Sequence, residues 1–96
     1  MQRQGDLLII KVDQLPEAIL KKNHRILAEG EATGHLHELD GGQVYEKKGI
    51  MYFKVGADEK IALNHPEHKT ITFDTGIYKV IRQREYEPKG LRYVED

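Results

Sequence analysis

Short bursts of apolar residues recur along the chain, cut by breaks rich in glycine, aspartate and proline. "GDLLIIKV" (residues 5–12) is apolar on both faces near its middle and predicts a strand. "QLPEAILKKNH" follows, where Pro16 suits a first helical turn and Glu17, Ala18, Leu20 and Lys21 favour helix. The pattern allows one or two turns there, or a loop. "RILAEGEA" (25–32) predicts a second strand, broken by Gly30. Asp40–Gly41–Gly42 signals a turn. "VYEKKGIMYFKV" (44–55) predicts a hairpin turning around Lys47–Gly49. "ADEK" is a further turn and "KIALNH" a further strand. "KTITFDTGIYKVIRQREY" (69–86) predicts two more strands around Asp74–Thr75–Gly76.

Six to seven short, mostly antiparallel strands with at most one short helix predict a small all-β barrel or sandwich. The length of 96 residues fits a single domain, residues 1–96. Its last segment, 87–96, holds Pro88 and Gly90 and is expected to be a surface tail.

Composition adjusts this picture in three ways. Apolar residues make up 39% and charged residues 32%, which favours a folded domain over disorder. Fifteen Lys and Arg against sixteen Asp and Glu leave a net charge of −1, so there is no global pull toward nucleic acid or membrane. The chain has no cysteine, which excludes disulfides, Cys-ligated zinc and iron–sulfur sites. The longest apolar run near the start, "LLII", is too short for a signal-peptide core or a membrane span. The expectation is a cytoplasmic protein, with a homo-oligomer through sheet edges as one mode of assembly.

The candidate chemistry lies in two short segments that together hold four of the five histidines, "EATGHLHEL" and "NHPEH". In an extended chain His35 and His37 point to the same side. His65 and His68 flank a turn that Pro66 biases. Neutral imidazoles suit Zn, Fe, Mn or Ni, so the two pairs are expected to hold one divalent transition metal. Glu38 and Glu67 stand beside them as alternative ligands or as groups that orient a histidine. The competing expectation for each is an ordinary loop histidine. His24, beside Lys21, Lys22 and Arg25, reads as a surface residue. Arg82 and Arg84 share a strand face with Tyr78 and Tyr86; that face would bind an anion such as phosphate, or else be a solvated outer face.

The segment "GEATGHLHELDGGQVYEKKG" is similar to the first motif of the cupins, small β-barrels that bind metal through an H-x-H, a following glutamate and a later histidine. Gly30 lies one position closer to His35 than in that motif and Glu46 lies further past His37. "NHPEHKTI" stands where the second motif would be. The chain also resembles small uncharacterised prokaryotic and phage-type proteins through "QGDLLI", "GEATGHLH", "HPEHKTI" and "GIYKVIRQREYEP". That resemblance implies a shared domain and no particular activity.

Serine is absent as well as cysteine, and neither glycine-rich phosphate-loop pattern occurs. Three functions remain. The first is metal binding, extending to a metal-dependent hydrolase acting on a small molecule or nucleotide. The second is a non-enzymatic assembly or accessory module. The third is a metal-independent phosphodiesterase or nuclease using the same histidines with Arg82 or Arg84.

Overall fold

In the computed structural model, the structure describes residues 1–29 and 34–82, and the strand rule of the sequence accounts for nearly all of its regular elements. The strands are β1 (Gln2–Gln4), β2 (Leu7–Val12), β3 (Leu20–Lys21), β4 (Ile26–Glu29), β5 (Leu36–Leu39), β6 (Gln43–Lys47), β7 (Ile50–His65) and β8 (His68–Arg82). No helix occurs among the described residues, so the fold is all-β. The tail 87–96 and Arg84 lie outside them.

Eight strands form instead of six or seven, for local reasons. The "GD" of the opening strand is a hairpin turn: Gly5 takes a φ of 60° and Asp6 stays at negative φ. Glycine at the first central position is the signature of a type II′ turn, which folds Gln2–Gln4 back onto Leu7–Ile9. The segment after Pro16 forms no helix. Ala18 sits at φ 56°, outside the helical region, and Leu20 and Lys21 ladder onto Glu46 and Tyr45 of β6. Conversely, four of the expected strands merge into two long ones, β7 and β8.

The β7–β8 hairpin is the spine. The sheet runs β1-β2-β8-β7-β5-β4, with β6 on β7 and β3 on β6. One edge of β7 carries β8. The other carries β6 along Ile50–Lys54 and β5 at Leu63–Asn64. Strands β5 and β6 therefore lie end to end, joined through Asp40–Gly42. Asp40 mends the gap between them: its N–H donates to the Ala62 carbonyl (3.0 Å) and its Oδ1 accepts from the Ala62 N–H (2.8 Å). Gly42 is required here, since it has φ 75° and a Cβ would stand 2.8 Å from the Lys54 carbonyl oxygen. Lys48 and Gly49, both at positive φ, make the type I′ turn between β6 and β7.

Two irregularities bend the spine, one between Val55 and Lys60 and one between Leu63 and His65. The first is an excursion of Gly56–Glu59, closed by Glu59 Oε1 accepting from the Gly56 N–H (2.7 Å) and by Thr75 Oγ1 donating to the Gly56 carbonyl (2.7 Å). With these bends the antiparallel sheet curls into a half-barrel.

Its concave face holds Leu7, Ile9, Leu27, Leu39, Val44, Phe53, Val55, Ile61, Leu63, Phe73, Tyr78 and Val80. Alternation along β2 and β8 delivers these residues inward. Phe53, fully buried, packs edge-on against Phe73 (centroids 5.1 Å) and stacks with Tyr78 (4.9 Å). Phe53→Ala is expected to cost about 3–5 kcal/mol, the range for an aromatic deleted from a core. Chemical denaturation of the purified variant measures it.

Candidate functional site

"GHLH" is partly a strand, as an extended H-x-H requires. Leu36–Leu39 pairs with β4 on one side and β7 on the other. Alternation then sorts its side chains: His37 and Leu39 are buried, Leu36 and Glu38 exposed. His35 lies on the His37 side and is half-buried. His65 and His68 close the β7–β8 hairpin as directly opposed residues, with Pro66–Glu67 as its tip. The two histidine segments therefore meet at one end of the half-barrel.

The rings form a continuous cluster. His65 is its hub, with ring centroids 4.3 Å from His37, 4.6 Å from His68 and 5.8 Å from His35. His37 and His68 are nearly parallel at 6.0 Å. Gly5 lies directly against this cluster: a Cβ there would come 2.8 Å from His68 Nε2 and 3.3 Å from His37 Cε1. Glu67 Oε1 stands 3.5 Å from His35 Nδ1. Ligand atoms of His35, His65 and Glu67 all lie within 4.8 Å of one another, so these three could hold one ion.

Gln4, a residue the sequence reading passed over, organises the interior side. It is 2% exposed. Its Nε2 donates to the Leu63 and Lys69 carbonyls, both at 2.9 Å, at the second irregularity of the spine. That orientation leaves Oε1 facing His37 Nδ1 at 2.8 Å. Because Oε1 can only accept, Nδ1 must carry the hydrogen, and neutral His37 keeps its lone pair on Nε2. His65 is set the other way, since its Nδ1 accepts the Glu67 N–H at 3.0 Å. The sequence did carry one usable signal, the Gly-Asp turn, which places Gln4 at the end of a hairpin. Nothing local marks Gln4 as a partner of His37, 33 positions away.

Electrostatics keep the buried rings neutral. Burial is the main cause that lowers the His37 pKa from 6.5 to about 4; the neighbouring His65, His68 and Arg82 push the same way, and Asp6 opposes them. His65 is also lowered, first by burial and then by His68, with Glu67 opposing. Arg82 follows Tyr78 and Val80 on the inward face of β8, so the solvated outer face considered for it is not what forms. Its Nη2 lies 3.3 Å from Asp6 Oδ2 and 3.3 Å from the Glu29 carbonyl, spanning from the β1–β2 turn to β4. Glu38 is exposed on the face opposite His37. Glu46, on β6, is ion-paired with Lys22 just past β3 (3.2 Å). His24 is exposed, as expected, and accepts the Ile26 N–H.

Residues 3–83, which include all the cluster residues and all of the strands but Gln2 of β1, match the family described as a domain of unknown function, DUF8820. The chain belongs to that family. No curated protein and no solved structure matches it. Membership of DUF8820 agrees with the resemblance to uncharacterised proteins and supplies no link to the cupins.

Two outcomes follow from this geometry. Gln4→Ala leaves the Leu63 and Lys69 carbonyls and the His37 N–H without their partner, and is expected to cost about 2–5 kcal/mol in denaturant melts. The second concerns pH. A histidine whose folded pKa lies below its unfolded value binds its proton more readily when unfolded. The stability that neutral His37 contributes is therefore full above about pH 6.5 and is lost on acidification toward pH 4. The loss from His37 is about 3 kcal/mol at most. Urea midpoints across this range check it, and His37→Gln is expected to flatten the slope.

Proposed function

We propose that this domain binds one divalent transition metal at His35, His65 and Glu67, and that the bound metal serves a hydrolytic or related reaction on a small molecule. The observation that carries the reading is the mutual approach of these three donors at the open end of the half-barrel. Two histidines and a carboxylate suit Zn, Fe, Mn or Ni and leave coordination positions for water or substrate. A metal there would supply Lewis acidity and lower the pKa of a bound water. Burial favours neutral His65, which removes proton competition for its lone pair near neutral pH. His37 and His68 stand behind His65; in this reading they line the inner side of the site or complete the shell. Gln4 then holds the His37 ring in one tautomer, as partners of metal-site histidines do. A cytoplasmic setting fits a chain without cysteines. Among the described residues, no helix is long and apolar enough to cross a membrane.

Metal binding has a specific structural cost. A neutral imidazole that coordinates through Nδ1 gives up that lone pair; one that coordinates through Nε2 carries its hydrogen on Nδ1. Either mode removes the Glu67 N–H to His65 Nδ1 bond. Metal loading must therefore rearrange the Pro66–Glu67 tip.

The expected result is near-stoichiometric Zn or Ni binding by calorimetry and elemental analysis, with a chelator-reversible rise in melting temperature. The Glu67 amide resonance shifts on loading. Glu67→Ala, at an exposed tip, and His35→Ala each lower affinity at least about tenfold, the scale of a lost metal partner. Absence of binding for Zn, Ni, Mn and Fe alike would overturn the proposal.

An assembly role is the second reading. It is favoured by the two outer strands of the sheet path, β1 and β4, which among the described residues each have one sheet neighbour. Light scattering that shows a concentration-independent oligomer surviving chelation would favour it over the first; a monomer throughout would remove it.

A further inference from the structure

A cleft of about 550 Å³ lies on the outer side of the candidate centre, between β5 and the β7–β8 tip. Its walls include His35 and His65, so it adjoins two of the three proposed ligands. The remaining wall differs from two other grooves among the described residues, whose linings carry the charged side chains Lys21, Lys22 and Arg25 in one and Arg25, Lys54 and Glu59 in the other. Here Leu36 and Pro66 supply apolar surface. Leu36 is 37% exposed, and among the described residues only Met1 and Leu20 are other large hydrophobics exposed to that degree. The polar side chains of the wall, Asn64 and Thr70, satisfy each other: Thr70 Oγ1 donates to Asn64 Oδ1 at 3.1 Å. That pairing lessens the wall's demand for a polar partner in a ligand. Glu38 places a carboxylate on the wall, which disfavours a second anionic group in the ligand.

The geometry points to a ligand class: a small amphiphile whose anionic, metal-seeking head sits at His35, His65 and Glu67 while an aliphatic or aromatic body lies against Leu36 and Pro66. This rests on the metal reading above and adds the shape and polarity of the substrate. The volume is in the range that holds a small organic molecule. A hydrophobic wall with few polar groups, beside a centre that anchors one end, is the ordinary build of such a site. Chain length should then be read as affinity, since each buried methylene contributes about 0.8 kcal/mol, or roughly fourfold in Kd when fully buried.

The test uses the full chain loaded with Zn and a series of straight-chain hydroxamic acids as probes, from acetohydroxamate through hexanohydroxamate to octanohydroxamate. Calorimetry reads Zn binding first and probe binding second. The expected result is acetohydroxamate binding weakly and each added methylene tightening binding about two- to fourfold until the cleft is filled. Leu36→Thr keeps a strand-forming residue at an exposed position. It is expected to flatten the chain-length dependence and leave both Zn and acetohydroxamate affinity unchanged. Equal affinity for all chain lengths, or the same slope in Leu36→Thr, overturns the cleft assignment while the metal centre stands. Zn bound without any hydroxamate binding also overturns it. Failure of Zn itself to bind overturns the metal reading, and this inference with it.

Discussion

One ladder of hydrogen bonds, between β7 and β8, carries everything else in this domain. Every other strand attaches to it directly or through one intermediate, and its hairpin tip is part of the candidate site. A flat pair of this length would not enclose a core. The two irregularities bend it, and the bends let a single sheet wrap its own apolar face. Polar side chains stabilise each break in the ladder: Glu59 and Thr75 close the first, Gln4 fills the second. A backbone group left unpaired near a core costs as much as a lost hydrogen bond. These side chains are therefore part of the scaffold.

Gln4 joins scaffold and chemistry. The amide that satisfies two carbonyls of the bent spine is the same amide that fixes the tautomer of His37. A group with two donors and one acceptor oxygen leaves no alternative once its donors are committed. Arg82 acts on the other side of the same opening, reaching Asp6 and the Glu29 carbonyl. Four imidazoles are thereby held together in a small domain without disulfides. The arrangement is costly in acid, because protonating one buried ring beside others is unfavourable. Such clustering is easier to understand in a site that uses neutral imidazoles than in a framework that needs only packing.

Electrostatics and shape divide the site into an inner and an outer part. Inside, His37 is buried and electrically quiet. Outside, Glu67 and His35 face solvent, next to a cleft with an apolar wall. The hydrogen bond between His65 and the Glu67 backbone lies at the boundary. It couples the protonation of His65 to the shape of the hairpin tip. A change at the ring nitrogen is thus felt at Glu67, whose carboxylate stands 3.5 Å from His35 Nδ1.

By itself the sequence determined the class of fold and the two segments that hold the clustered histidines. Alternating apolar residues with Gly, Asp and Pro breaks read as antiparallel strands because period-two patterning and turn residues are local properties. The two histidine pairs were legible for the same reason: an H-x-H in extended backbone puts both rings on one side. What only the tertiary structure decided was everything that depends on distant partners. Pairing beyond the nearest turn is set by how the whole sheet buries its face, so the merging of β7 and β8 and the added strands β1 and β3 were not readable. His35 and His37 were equivalent on paper. Their separation into a half-exposed and a buried ring follows from where β5 meets β7. Glu67 and Glu38 were likewise equivalent, until the hairpin tip brought one to His35 and strand alternation turned the other outward. The Gly-Asp turn marks the position of Gln4 but not its role, which is made of contacts to residues more than thirty positions away.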